Sequence, residues 1–168
     1  MRLPNNKGFT LIEVLIVIAI FAIGAAIAIP SIMDMGRRDQ VKAEARQLKD
    51  QLAKARVAAL ELNTPMVVVF DKIVAGVSNG YQIVQDANGD CEADAGESAT
   101  RITLSKSSIT TNDFSQNDAG NPMVQWDARG YPKRKDGTLA SGTVSIDGAG
   151  TQYNVVLSLA GNISITKP

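Results

Sequence analysis

Residues 86–97, DANGDCEADAGE, hold the densest set of oxygen-bearing side chains in this 168-residue chain. Asp86, Asn88, Asp90, Asp94 and Glu97 fall at positions 1, 3, 5, 9 and 12 of a calcium-loop template, whose carboxylate and amide oxygens can wrap one hard cation. Against that chemistry, Cys91 stands where the template needs glycine, and neither flank has a helical pattern. The competing reading is an acidic, solvated tip between two strands. Calcium is thus a candidate ligand, and no cofactor is required by any other residue set. The chain has no histidine, which removes the commonest general base and neutral metal ligand. Its single cysteine, Cys91, supports neither an internal disulfide nor a cysteine-based zinc site. Serines, aspartates and lysines are plentiful, but none stands in a nucleophile or base motif, so no enzyme activity is expected. Lys plus Arg balance Asp plus Glu at 17 each, which provides no global attraction for a polyanion.

One further carboxylate sits where it is costly. The run KGFTLIEVLIVIAIFAIGAAIAIP, residues 7–30, is apolar almost throughout but carries Glu13. Residues 9–29 would span about 31 Å as a helix, close to the hydrocarbon thickness of a bilayer. Arg2 and Lys7 precede the run, and Arg37 and Arg38 follow it. A plain membrane anchor is one reading. A secretory signal is another, because Ala26-Ile27-Ala28 has the small-x-small form of a cleavage site; cutting after Ala28 would release a soluble extracytoplasmic domain. Glu13 bears on both, since a carboxylate deep in a membrane helix costs roughly 2.5–3.5 kcal/mol and marks a partner or a function. Were the chain cut between Gly8 and Phe9, the new amine would lie about one helical turn from Glu13. The amine of an identical neighbour, shifted along the axis, could then neutralise that carboxylate in apolar surroundings, with desolvation offsetting part of the attraction.

These residues carry a family resemblance. The run resembles the class III leader and N-terminal helix of type IV pilins and type II secretion pseudopilins: Gly8 before the cut, Phe9 as the new terminus, Glu13 fifth after the cut, and Pro30 interrupting the apolar stretch. The resemblance implies that a prepilin peptidase removes residues 1–8 and methylates the Phe9 amine, while the hydrophobic helix is retained. It also implies that Glu13 serves subunit docking.

The elements that must present these residues follow from periodicity. Pro30 lacks an amide hydrogen and clashes with the preceding turn, so a kink or local unwinding is expected around residues 24–30, with Gly36 a second soft point. Beyond it, Val41, Ala45, Leu48, Leu52, Ala55, Ala59 and Leu62 recur at spacings of four and three, one apolar helical stripe. Its alanines favour close approach to a sheet over a coiled-coil seam. Asn63-Thr64-Pro65 ends the helix. Strands are then expected at 66–71, 81–86, 101–105, 123–127, 143–147, 153–159 and 162–166, with no helical pattern between them. The fold class is α+β: a long N-terminal helix, half membrane-spanning and half amphipathic, on an antiparallel β-sheet head. The expected organisation is a leader at 1–8, a hydrophobic helix at 9–30, an amphipathic helix at 31–62 and a β-rich head at 63–168.

The tail VQWDARGYP…GTVSIDGAGTQYNVVLSLAGNISI also looks like the carboxyl half of the GspH/FimT group of minor pilins and pseudopilins, in which an aromatic-x-x-x-Gly precedes strands joined through a glycine. Some relatives of that group bind DNA, and Lys133, Arg134 and Lys135 form a short basic run here. Those relatives also carry basic residues after the last hairpin glycine. The stretch GNISITKP is uncharged until Lys167, so nucleic acid is not an expected partner. The resemblance implies a non-catalytic minor pilin or pseudopilin: single-pass in the bacterial inner membrane with its head in the periplasm, then part of a type IV pilus or type II secretion pseudopilus. Its implied partners are other major and minor pilins, the prepilin peptidase and an inner-membrane assembly platform. A DNA-capture pilin and the soluble domain released after Ala28 are the alternatives.

Overall fold

The computed structural model describes residues 9–71, 78–92, 94 and 96–168, so the expected leader and Gly8 lie outside the described residues. It divides into two units, Met1–Gly36 and Arg37–Pro168. In the first, Thr10 opens helix α1 (Leu11–Leu62) as its N-cap. The Glu13 amide donates to Thr10 Oγ1 at 3.3 Å and to the Thr10 carbonyl at 3.1 Å, satisfying a donor that the first helical turn leaves orphaned. Every residue from 9 to 40 is exposed. The helix is continuous through Pro30, which corrects the expectation of unwinding at residues 24–30. Proline withdraws only its own amide; the hydrogen bonds of the neighbouring residues are still available to carry the helix through.

In the second unit, the stripe on α1 is buried at Val41, Ala45, Leu48, Leu52, Ala55 and Ala59. Leu62, its expected seventh member, is instead 53% exposed, because it is the last helical residue. Asn63 then takes the left-handed conformation (φ 50°) that caps a helix, and Thr64 Oγ1 donates to the Leu62 carbonyl. Nine strands follow: β1 (Met66–Phe70), β2 (Gly80–Gln85), β3 (Ala99–Thr103), β4 (Ser108–Asn112), β5 (Met123–Trp126), β6 (Pro132–Lys133), β7 (Gly142–Gly148), β8 (Thr151–Leu157) and β9 (Ile163–Thr166). They form two antiparallel sheets, ordered β3-β2-β1-β5-β6 and β4-β7-β8-β9. The helix stripe packs on both, against Met66, Val68 and Phe70 of the first and Val144, Ile146, Val155 and Leu157 of the second. Alanine at three of the six buried stripe positions permits that approach, while Leu48 and Leu52 each contribute about 2–3 kcal/mol by burial.

All five β1 residues are buried, so its sheet is covered on both faces. Behind it lies a second apolar cluster of Val67, Val69, Val84, Cys91 and Met123. Segments around Cys91 and Asn117 meet over this cluster, where Asn117 Nδ2 donates to the Cys91 carbonyl at 3.2 Å. Arg56 ties α1 to strand β5 and to the β8–β9 turn at once. Its guanidinium lies 5.6 Å from the Trp126 ring centroid and donates to the Gly161 carbonyl at 3.1 Å. A Cβ on Gly161 or on Gly130 would come within 3.2 Å of that guanidinium. The aromatic-x-x-x-Gly and the later hairpin glycine therefore converge on one arginine.

Candidate functional site

From residue 9 to residue 33, Glu13 is the only ionisable side chain. Phe9 is 82% exposed and Leu11 79%, and the following isoleucines, valines and Phe21 are exposed on every side of the helix. A helix apolar all round does not stay in water; it needs lipid or other apolar helices as its surroundings. α1 is the one described helix long and apolar enough to cross a membrane. Among the described residues nothing donates a hydrogen bond to the Glu13 carboxylate, and its amide is held by Thr10. The Thr-x-x-Glu spacing is the sequence signature of a helix start that the periodicity argument passed over. The cap fixes where the helix begins and so places Glu13 in its first turn.

The acidic loop is arranged differently from a cation cage. Asp86 is only 1% exposed, and its carboxylate accepts from the amides of Gly89 (2.7 Å) and Cys91 (3.3 Å) and from Gln125 Nε2 (3.2 Å). Asn88 Nδ2 bridges Asp90 and Asp94 at 2.9 and 3.0 Å, and Glu97 accepts from the amides of Ala87 and Asp94. The Glu92 amide, then the Asn88 side chain, hold the Asp90 carboxyl below its ordinary value. The five oxygen donors thus share one loop but are turned on its own N–H groups, and among the described residues no cluster of acidic or cysteine side chains could hold a metal ion. Cys91 is a buried residue of the second apolar cluster, not the surface thiol its loop suggests. Burial, then the Asp86 carboxylate, push its thiol up to about 11, so it stays protonated and unreactive at neutral pH.

The basic run lies on β6 and the turn after it. Lys133 belongs to β6, Arg134 and Thr138 close a turn, and Lys135 pairs with Asp118. Of the three adjacent cations, Lys135 is the one that pairs with a carboxylate among the described residues. A site that sequence reasoning missed is Glu44, which reaches from α1 to the loop after β3. Its carboxylate accepts from the Ser105 amide (3.0 Å), the Lys106 amide (3.1 Å) and the hydroxyls of Ser105 (3.2 Å) and Ser107. Burial raises this carboxyl, but the Ser107, Ser105 and Lys106 donors outweigh it and bring the group below 4.5.

Comparison with known proteins fits this geometry. Residues 3–29 match the prokaryotic N-terminal methylation motif, and residues 44–161 match the family of type II transport protein GspH. The type IV wide pilus major component PilA4 of Thermus thermophilus is 38% identical over 101 residues, 51% of this chain and 76% of that protein. Among solved structures, the minor pseudopilin EpsH from the type 2 secretion system of Vibrio cholerae is similar with a TM-score of 0.55 at 16% identity, covering 77% of this chain and 98% of that one. The type IV minor pilin FimU of Pseudomonas aeruginosa has a TM-score of 0.52 at 16% identity, covering 77% and 90%. The two structural likenesses establish the fold: one long helix packed on antiparallel sheets. The match over residues 44–161 and the identity to a pilus component together establish that this chain belongs to the GspH family of type IV pilin and pseudopilin subunits.

Proposed function

We propose that the chain is made as a prepilin, cut after Gly8, methylated on the Phe9 amine, and assembled as a minor subunit of a pilus or pseudopilus. The observation that supports this most is the pairing of an all-round apolar helix with one first-turn carboxylate that has no hydrogen-bond donor among the described residues. Before assembly, lipid covers the apolar surface, and Glu13 lies near the end of the span where water reaches it. In the filament, neighbouring helices replace the lipid, and the Phe9 amine of an adjoining subunit meets Glu13. The β-rich head then faces outward, away from the helix core. PilA4 is a major pilus component by name, whereas EpsH and FimU are minor subunits, and the fold likeness to the latter two favours the minor role.

Intact-mass spectrometry of the mature protein tests the reading directly: the first eight residues should be missing and one methyl group added. A chain beginning at Ile29, or one retaining Met1, would refute it. Gly8→Ala blocks or strongly slows removal of the leader. Glu13→Ala leaves processing largely intact but impairs assembly; wild-type assembly of that variant would end the docking role.

A further inference from the structure

Two Asn-Gly pairs stand in the chain, Asn79-Gly80 and Asn88-Gly89, and the fold holds them differently. In any such pair the glycine nitrogen and the asparagine Cγ are tethered, so that a bond between them closes a five-membered ring. Glycine adds no side chain to shield the approach and takes backbone angles that other residues resist. Two things hold the reaction back: the amide nitrogen attacks only as its proton leaves, and the side-chain amide is a poor leaving group. A fold helps or hinders according to what it sets around those atoms. Asn79-Gly80 is hindered. Gly80 is buried as the first residue of β2, and the carbonyls of Asn79 and Gly80 accept the amides of Leu104 and Asp71 at 2.8 and 3.0 Å. Closing a ring there would pull the backbone out of the sheet.

Asn88-Gly89 is exposed, so water reaches it, and it is surrounded by the groups the reaction needs. Gly89 has φ 84°, and no atom stands within 4 Å of where its Cβ would be. Its amide donates to Asp86 Oδ1 at 2.7 Å, within the reach of a general base. The other oxygen, Oδ2, accepts from the Cys91 amide and from Gln125 Nε2, which fixes the buried carboxylate on the Gly89 nitrogen. The Asp90 amide donates to Asn88 Oδ1 at 3.1 Å, where negative charge develops as Cγ becomes tetrahedral. Asn88 Nδ2, the leaving nitrogen, is held by the carboxylates of Asp90 and Asp94 at 2.9 and 3.0 Å. The side-chain amide is thereby oriented at both ends.

We infer that Asn88-Gly89 is a self-modification site, at which the folded loop converts Asn88 to aspartate and isoaspartate through a cyclic imide. Asp86 takes the proton of the Gly89 nitrogen as the N–Cγ bond forms, and the Asp90 amide holds the oxyanion at Oδ1. The oxyanion collapses, the Cγ–Nδ2 bond breaks, and Asp86 passes its proton to Nδ2, which leaves as ammonia. Water then adds to one of the two imide carbonyls and opens the ring at that carbon's bond to nitrogen. One water enters, one ammonia leaves, and nothing is oxidised or reduced. Opening at Cγ gives aspartate; opening at the main-chain carbonyl gives isoaspartate, with one more carbon in the backbone. Either product replaces the amide that bridges Asp90 and Asp94 with a third carboxylate facing them. The change runs one way and depends on the fold, so it marks the age of the folded head.

The test follows the full chain, solubilised in detergent at neutral pH and sampled over time. Both asparagines lie in one tryptic peptide, between Lys72 and Arg101, so fragment masses compare them in the same molecule. Each conversion exchanges NH2 for OH in the mass. In the folded chain Asn88 is expected to convert about tenfold or more faster than Asn79. In urea the two rates should converge, and Asn88 should be about tenfold or more slower than in the folded chain, because Asp86 no longer faces Gly89. Asp86→Asn is expected to lower the folded-state rate at Asn88 by about the same factor, with Trp126 fluorescence showing that the variant is folded. If it does not fold, the comparison with urea decides alone. The inference is overturned if Asn88 converts no faster than Asn79 in the folded chain. It is equally overturned if unfolding speeds Asn88, or if a folded Asp86→Asn chain keeps the wild-type rate.

Discussion

Replacing Gly161 with alanine probes the Arg56 junction at a single carbon. Gly161 has φ 80°, a left-handed conformation that costs a Cβ-bearing residue about 1–2 kcal/mol. The new Cβ would also lie 3.2 Å from Arg56 Nη1 and 3.3 Å from Trp126 Cζ3, so the guanidinium must move. Moving it weakens the hydrogen bond to the Gly161 carbonyl and the contact over Trp126. In a partly exposed setting these are together about 1–2 kcal/mol. The sum is about 2–4 kcal/mol, which for a head of this size lowers Tm by roughly 6–15 °C. Gly137→Ala is the matched control: φ is 78°, and no atom stands within 4 Å of the new Cβ, so only the backbone cost of about 1–2 kcal/mol remains. Trp126 is the sole tryptophan, so its fluorescence follows unfolding at the junction itself. In an Arg56→Ala background, Gly161→Ala should cost little more than the control, a coupling of about 1–2 kcal/mol. Equal losses for Gly161→Ala and Gly137→Ala in the wild-type background would refute the argument.

Glu44→Ala should cost about 1–3 kcal/mol at pH 7, discounted for partial exposure, as measured by urea unfolding. Because the folded-state pKa of Glu44 lies below 4.5, its contribution is present above 4.5 and fades as pH falls through the folded value; the alanine variant should lack that part of the acid dependence. Millimolar calcium should give no calorimetric heat with the head, since the carboxylates of residues 86–97 already accept N–H hydrogens; a saturable heat lost in Asp90→Ala would establish the calcium reading instead. Leu48→Ala should cost about 2–5 kcal/mol by opening a cavity between α1 and the sheets, read from the same urea curves.

What could be read without coordinates was what periodicity and turn chemistry encode. The stripe from Val41 to Ala59, the stop at Asn63, and the alternation in β5, β7, β8 and β9 are local signals, and the structure has those elements within a residue or two of the expected bounds. β4, Ser-Ile-Thr-Thr-Asn, has a single apolar residue and pairs across a bulge, so it carried no alternation to find. β6 is two residues long and begins with Pro132, a residue that argues against a strand except at an edge. The covering of β1 on both faces depends on residues that are distant in sequence, including Cys91 and Met123. The Glu44 clasp joins residues 61 to 63 positions apart, beyond the reach of any pattern. The place of Glu13 in the first turn of α1 was legible from the sequence because it depends on the spacing from Thr10 alone. The calcium template shows the opposite case: spacing counts oxygens but does not say which way they turn, and here Asp86, Asn88, Asp90 and Glu97 accept N–H groups of the chain.

The burial of Cys91 has a practical corollary. A thiol at 1% exposure, protonated at neutral pH and wedged behind Val67 and Val84, is silent toward oxidants only while the 86–92 segment stays seated. Each transient lifting of that segment uncovers a group that a dye can trap irreversibly. The rate of labelling at low denaturant thus becomes a built-in clock for opening of the outer layer, separate from the clock at Trp126 on the helix side. With one cysteine and one tryptophan on opposite faces of the same sheet, the native chain already carries both probes.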